Sequence, residues 1–159
     1  MKIINVEDIP EESWGSPKGT FGGFGKEISL ALGRDPKGAD ARGRHPFDLE
    51  LARIPPGKKL CPFHSHSAQW EHYLVYSGKG QVRSADGYHD IKAGDSFVFG
   101  PGEPHQLLNP GDRDLVVLVV ADNPVGESCH YPDSGKWLVR SPEGRLVRSE
   151  SLDYFDGEE

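Results

Sequence analysis

The sequence predicts an all-β fold, a sandwich or barrel assembled from short strands. Three observations lead to this prediction. Strand-like segments recur at short intervals between Leu60 and Ala121, and turn residues such as Gly, Pro, Asn or Asp separate them. The 20 Gly and 13 Pro residues among 159 follow no regular period, which is typical of frequent turns. No stretch carries an apolar stripe of helical period over the length of a helix.

The individual strands are predicted from apolar residues that alternate between turn signals. The first two cover Lys26–Leu32 and His45–Ile54, and in the second we expect Phe47, Leu49 and Leu51 to share one inward face. The other predicted strands are Leu60–His66, Glu71–Ser77, Gly80–Ser84, Tyr88–Lys92, Ser96–Phe99, His105–Asn109 and Asp114–Ala121. A short helix near the C-terminus is compatible with the remaining pattern.

We expect one domain with three regions, since 159 residues suit a single hydrophobic core. Residues 1–44 are expected to form an irregular N-terminal arm, with a glycine-rich turn region at 19–25, and the first strand. Residues 45–121 are expected to form the conserved barrel. Residues 122–159 are expected to add C-terminal strands and a solvated acidic tail.

Charge and composition narrow the range of functions. The formal net charge of −7 argues against a nucleic-acid partner, because phosphate binding requires clustered Lys and Arg. The two cysteines, Cys61 and Cys129, provide no disulfide framework, and we expect Cys61 to behave as a buried apolar residue. The N-terminus lacks the apolar core of a signal peptide, and no apolar run approaches the length of a membrane span. We therefore expect a soluble cytoplasmic protein without a membrane partner.

Three of the seven histidines stand in a pattern with one glutamate. His64 and His66 lie two residues apart in a predicted strand, so their imidazoles project from the same face. Glu71 opens the next strand on a face that continues with apolar residues, where a carboxylate needs a neutralising partner such as a metal ion. His105 begins a later strand that a closed barrel can bring beside the first two. For any one of these histidines taken alone, the favoured interpretation is an ordinary barrel residue, but this interpretation explains the set poorly.

The spacing of these residues resembles that of the cupin superfamily, whose motifs are usually summarised as G-x5-H-x-H-x3–4-E-x6-G and G-x5-P-x-G-x2-H-x3-N. The chain has Gly57, six residues, His64-Ser65-His66, four residues, Glu71, six residues and Gly78. It then has Gly94, five residues, Gly100-Pro101-Gly102, two residues, His105, three residues and Asn109. It departs from the family pattern by one extra residue after Gly57 and by Gly100 at the proline position, neither of which is a ligand position.

The resemblance implies a cupin fold, that is, a double-stranded β-helix or jelly-roll barrel. It also implies one divalent transition metal, Mn, Fe, Ni, Co or Zn, with His64, His66, Glu71 and His105 as its ligands. Cupins include dioxygenases, decarboxylases, sugar-phosphate isomerases and binding or sensor proteins. We expect a metal-dependent enzyme that acts on a small polar or anionic metabolite. The alternative is a non-catalytic small-molecule-binding or sensory cupin in which the metal has a structural role.

A second group of residues is expected to line the pocket, although no catalytic acid or base is identified among them. Arg53 continues the predicted inward face of its strand, Tyr73 shares the face of Glu71, and Gln69 lies in the loop before Glu71. The segment Ala121–Pro124, followed by Cys129–Lys136, resembles part of a branch of small bacterial cupins, and the role of Tyr131–Lys136 is open. Because Leu115–Ala121 is apolar on both faces, and because cupins commonly dimerise, we expect a homodimer.

Overall fold

The structure, a computed structural model, describes residues 1–35, 45–139 and 144–158 of the chain. Within these ranges the backbone is dominated by thirteen β-strands, which confirms the predicted all-β class. The strands are β1 (Glu12–Gly15), β2 (Gly22–Glu27), β3 (Phe47–Ile54), β4 (Ser65–His66), β5 (Glu71–Ser77), β6 (Lys79–Ser84), β7 (Gly87–Lys92), β8 (Ser96–Phe99), β9 (Gln106–Leu108), β10 (Leu115–Asp122), β11 (Ser128–Tyr131), β12 (Lys136–Val139) and β13 (Arg145–Arg148).

The strands form three antiparallel sheets that together make a jelly-roll barrel. The largest sheet has the order β1-β2-β3-β10-β5-β8, and β10 lies at its centre between β3 and β5. The second sheet has the order β13-β12-β11-β4, and the third has the order β7-β6-β9. Some neighbouring strands, such as β6 and β7, are consecutive in the chain, whereas others, such as β3 and β10, come from distant parts of it, as the jelly-roll fold requires.

The core lies between the sheets and consists of alternate residues on each strand. Its fully buried members include Ile54, Val75, Leu107, Leu115 and Val117. Burial of such side chains contributes roughly 1.5–3 kcal/mol each to folding. On the core-facing side of β10, Leu115, Val117 and Ala121 are buried and Val119 is half-buried, whereas all residues of the other side are half-buried, so only one of its two apolar faces belongs to this core.

The inward face of β3 is the opposite of the predicted one. Ala52 and Ile54 are fully buried, whereas Phe47 is 44% exposed on the outer face. The apolar residues at 47, 49 and 51 alternate as expected, but they lie on the outer face of the largest sheet. Alternation of apolar residues reveals that a strand has two faces and does not reveal which one is covered.

The N-terminal region is more ordered than predicted. A 3-10 turn at Val6–Asp8 precedes β1, and the glycine-rich segment enters β2, which pairs with both β1 and β3. The predicted strand Lys26–Leu32 is wrong beyond Glu27, because the chain turns there into the short helix α1 (Ile28–Ala31). This turn lets the buried Ser29 hydroxyl accept a hydrogen bond from the Leu49 backbone N–H at 2.8 Å, which satisfies part of the β3 backbone.

The C-terminal strands pack onto the barrel beside the histidine motif. β11 pairs with β4, so that Cys129 lies opposite His66 and His130 lies opposite Ser65. Tyr131 and Lys136 are paired residues at the end of the β11–β12 hairpin. The described part of this region contains strands and turns and no helix, so the short helix is not found there. None of the helices in the described ranges has the length and apolar character that a membrane span demands.

Candidate metal centre

The barrel brings His64, His66, Glu71 and His105 together. His64 and His105 face each other across a backbone bridge, with hydrogen bonds from His64 N to His105 O at 3.1 Å and from His105 N to His64 O at 2.8 Å. His66 lies in β4 and Glu71 begins β5. One nitrogen or oxygen atom from each of the four side chains lies within 4.8 Å of the others.

The three imidazoles are oriented by acceptors at their Nδ1 atoms. Nδ1 of His64 lies 2.9 Å from the carbonyl oxygen of Pro62, and Nδ1 of His105 lies 3.0 Å from the carbonyl oxygen of Glu103. Nδ1 of His66 lies 3.0 Å from a carboxylate oxygen of Glu127. Carbonyl and carboxylate oxygens only accept hydrogen bonds, so each Nδ1 donates a proton. In the neutral imidazoles the Nε2 atoms therefore carry the lone pairs that bind metals.

These Nε2 atoms are crowded against one another and against the glutamate. Nε2 of His64 lies 3.1 Å from Nε2 of His66, and Oε2 of Glu71 lies 2.7 Å from Nε2 of His105. Since lone pairs at these distances repel one another, the arrangement requires a proton or a metal cation among them. Three imidazole nitrogens with one carboxylate form a donor set that suits Mn, Fe, Co, Ni or Zn, and the residues therefore fit a divalent transition metal.

The electrostatics of the cluster favour the metal-binding forms of His64 and Glu71, whereas the raised pKa of His66 means that metal binding must displace a proton there. Burial, reinforced by His105, lowers the pKa of His64 to about 4. Burial acts to raise the pKa of Glu71, but hydrogen bonds with His105 and His66, which form when these imidazoles carry a proton on Nε2, outweigh it and hold that pKa well below its usual range. Burial also acts to lower the pKa of His66, and the carboxylates of Glu71 and Glu127 outweigh it so that the pKa is raised. A neutral His64 and an ionised Glu71 are the forms that bind a metal.

The cluster lies at the wall of a cavity of about 400 Å³. Gln69 and Tyr73, two of the predicted pocket residues, line this cavity, whereas His105 is buried behind the surface. Tyr131, whose position was open from sequence, also lines it. A surface depression beside Lys79 contains none of the four clustered residues.

Arg53 does not line the cavity, and its predicted role there is wrong. It lies on the outer face of β3, where its guanidinium hydrogen-bonds both carboxylate oxygens of Glu11, at 3.0 and 2.6 Å, and Asp114 at 3.0 Å. The same group lies 3.9 Å above the centre of the Phe24 ring. The prediction for Arg53 is wrong because it depended on the predicted inward face of β3, which is the outer face.

Sequence reasoning missed two acidic residues at the site. Glu50 lies on the inward face of β3 and lines the cavity, and only the correct orientation of that strand would have identified it. Glu127 is buried and contacts His66 from 61 residues away in the sequence. Neither residue belongs to a recognisable motif, so no local signal marks it.

Comparison with known proteins relates this barrel to one family. Residues 50–121 match the family described as Cupin domain. A solved structure from Acidithiobacillus ferrooxidans, described as a candidate sugar phosphate isomerase, is 25% identical, with a TM-score of 0.79 over 93% of this chain and 92% of that one.

Two curated proteins also match. Auxin-binding protein 1 of Arabidopsis thaliana is 25% identical over 153 residues, covering 91% of this chain and 69% of that protein. The oxalate-binding protein of Thermotoga maritima is 34% identical over 68 residues, covering 43% of this chain and 55% of that protein.

The matched region contains the strands that carry Glu71 and His105 together with the His64-Ser65-His66 segment, and the similar structure extends over nearly the whole chain. Fold, motif and relatives agree, and residues 50–121 of the chain therefore form a cupin domain.

Proposed function

We propose that His64, His66, Glu71 and His105 bind one divalent transition metal and that the protein is a metal-dependent enzyme acting on a small polar or anionic metabolite. The observation that carries the proposal is the convergence of three imidazoles and one carboxylate within 4.8 Å at the wall of a cavity. When bound, the metal would polarise an oxygen atom of the metabolite.

The charge of the cavity restricts an anionic substrate to a position at the metal. The described residues that line it include the carboxylates of Glu27 and Glu50 and include no Lys or Arg. An anionic group entering the cavity therefore meets acidic side chains and finds its positive partner at the metal. Gln69 and Tyr131 provide polar contacts for the remainder of a small hydroxylated molecule.

Among the reactions of cupins we favour an isomerase-type proton transfer. Such a reaction needs a group that takes up and returns a proton near neutral pH. Glu50 lines the cavity, and burial, followed by the charges of Glu27 and Glu71, raises its pKa to about 7. In the sheet Glu50 is in register with Val119, which is in register with Tyr73. This places the Cα atoms of Glu50 and Tyr73 about 10 Å apart across the sheet, with the side chains of both residues at the same cavity.

The Acidithiobacillus ferrooxidans protein, described as a candidate sugar phosphate isomerase, supports the same choice of reaction.

A second candidate function is reversible binding without turnover. The names of the two curated relatives, an auxin-binding and an oxalate-binding protein, favour it.

Deuterium exchange distinguishes these functions. The metal-loaded protein is incubated in D2O with a panel of aldose and ketose phosphates and with oxalate, and exchange of carbon-bound hydrogen is followed by NMR. We expect metal-dependent exchange in a sugar phosphate, lost in Glu50→Gln with its metal retained, and unchanged in Glu12→Gln, which alters an exposed carboxylate of β1. Binding without exchange favours the second function, and failure of the metal-loaded protein to bind any compound of the panel contradicts the proposed substrate class.

A further inference from the structure

Glu127 occupies an unusual position for a carboxylate. It immediately precedes β11, outside the segment that matches the Cupin domain family, and it is only 6% exposed. Its Oε1 accepts hydrogen bonds from His66 Nδ1 at 3.0 Å and from Ser67 N at 3.2 Å. Its Oε2 accepts from Ala68 N and from Gln69 N, both at 2.9 Å.

Four hydrogen bonds compensate the cost of burying this charge. An unpaired carboxylate in such a position would be strongly destabilising, whereas one that accepts several N–H groups is stable. Glu127 is also distinct among the groups that orient the imidazoles. His64 and His105 donate from Nδ1 to neutral carbonyl oxygens, and among the clustered histidines only His66 donates from Nδ1 to a carboxylate.

We propose that Glu127 is a positioning residue that holds His66 with Nε2 directed at the metal and fixes the loop carrying Gln69 at the cavity. This inference rests on the proposed metal site. A carboxylate hydrogen-bonded to Nδ1 fixes the tautomer of a ligating histidine and makes its Nε2 a stronger donor. The other three hydrogen bonds fix the backbone at residues 67–69, directly between His66 and Glu71.

Asp122 also holds the loop between β4 and β5, in addition to Glu127. Asp122, at the end of β10, accepts a hydrogen bond from Trp70 N at 2.8 Å through its side chain and one from the Gln69 side-chain amide at 2.5 Å through its carbonyl oxygen. Two acidic residues that follow one another closely in the chain therefore hold the whole connection from β4 to β5. We infer that the C-terminal region from Asp122 onward sets the geometry of the metal site and also covers it.

The test compares Glu127→Gln with the matched variant Asp95→Asn. Asp95 is also a carboxylate that accepts a backbone hydrogen bond, from Lys92 N at 2.8 Å, but it belongs neither to the cluster nor to the lining of the cavity. Zinc and cobalt affinities are measured by competition with a chelating dye. We expect about 10- to 100-fold weaker binding in Glu127→Gln and a change of less than about twofold in Asp95→Asn.

A spectroscopic measurement on the unaltered protein does not depend on how the variant folds. In the zinc-loaded protein, nitrogen NMR of His66 should show a proton on Nδ1 and zinc on Nε2. Zinc on Nδ1 would overturn the inference, as would equal affinities of the two variants in a protein that binds zinc. A wild-type chain that binds no metal would overturn the proposed metal site itself, and the inference with it.

Discussion

The Tyr73 hydroxyl donates a hydrogen bond of 2.7 Å to Oε2 of Glu71, two residues earlier on the same strand. Both side chains project from the inward face of β5 because they are two positions apart. The same carboxylate oxygen lies 2.7 Å from His105 Nε2, so the tyrosine holds Glu71 beside the imidazoles. Tyr73 is 2% exposed, and its phenol ring packs against Phe97. It therefore belongs both to the core and to the site.

Replacement of Tyr73 by phenylalanine should weaken metal binding while leaving the fold intact. The ring and its packing remain, and the loss of one hydrogen bond to a charged group costs about 1.5–3 kcal/mol. We expect metal affinity to fall by about tenfold, measured by competition with a chelating dye. Tyr76→Phe on the exposed face of the same strand is the control, and equal affinities in the two variants would show that the hydroxyl does not support Glu71.

The free energy of unfolding should depend on pH in a way that reflects the titration of Glu50. Its pKa is raised from about 4.5 to about 7, so the folded state holds the proton more tightly than the unfolded state between these pH values. The free energy of unfolding attributable to Glu50 therefore falls as pH rises through this range, by roughly 2 to 3 kcal/mol.

Glu50→Gln has no such proton. We therefore expect the free energy of unfolding of this variant, relative to that of the unaltered protein, to be higher at pH 8 than at pH 5. Urea unfolding in the presence of EDTA measures the difference, and Glu12→Gln provides the exposed control. A difference between variant and wild type that is the same at both pH values would contradict the raised pKa.

Two glycines of the first histidine motif should respond differently to substitution by alanine. Gly78 and Gly57 both have positive φ, 85° and 75°. A Cβ at Gly78 would collide with the backbone carbonyl oxygen of Asp114, whereas a Cβ at Gly57 meets nothing within 4 Å. Thermal unfolding should show a loss of about 1 kcal/mol for Gly57→Ala and at least twice that loss for Gly78→Ala. Similar losses in both would mean that backbone conformation alone explains them.

The outer face of the largest sheet favours the predicted homodimer. Val98 is 51% exposed and Tyr76 is 67% exposed on this face, beside half-buried leucines of β3, β5 and β10. We propose that a second copy of the chain covers it. Light scattering should report a dimer that Val98→Glu converts to a monomer, while Asp86→Ala in an exposed turn leaves it unchanged. A monomeric wild-type protein would contradict this proposal.

The parts of the fold that could be predicted from sequence are those encoded locally. The strands Glu71–Ser77 and Ser96–Phe99 have the predicted bounds, because clear turn residues delimit alternating side chains. The gathering of His64, His66, Glu71 and His105 was predicted from spacing, since the motif fixes strand positions and turns together.

The parts that could not be predicted depend on contacts between distant segments. The face of β3 is decided by which sheets cover it, and this reversed the predicted places of Arg53 and Glu50. Helix α1 forms where the chain leaves β2, although Ile28, Leu30 and Leu32 alternate like a strand. Glu127 reaches His66 through the pairing of β11 with β4, which no local pattern encodes.

Elemental analysis of the purified protein tests the central claim most directly. We predict about one Mn, Fe, Co, Ni or Zn ion per chain, retained in His89→Ala, whose imidazole lies near Ser84 on the surface. The ion should be lost in His64→Ala and in His105→Ala. A wild-type chain that binds none of these ions after reconstitution, or variants of His64 and His105 that keep a full equivalent, would contradict the account.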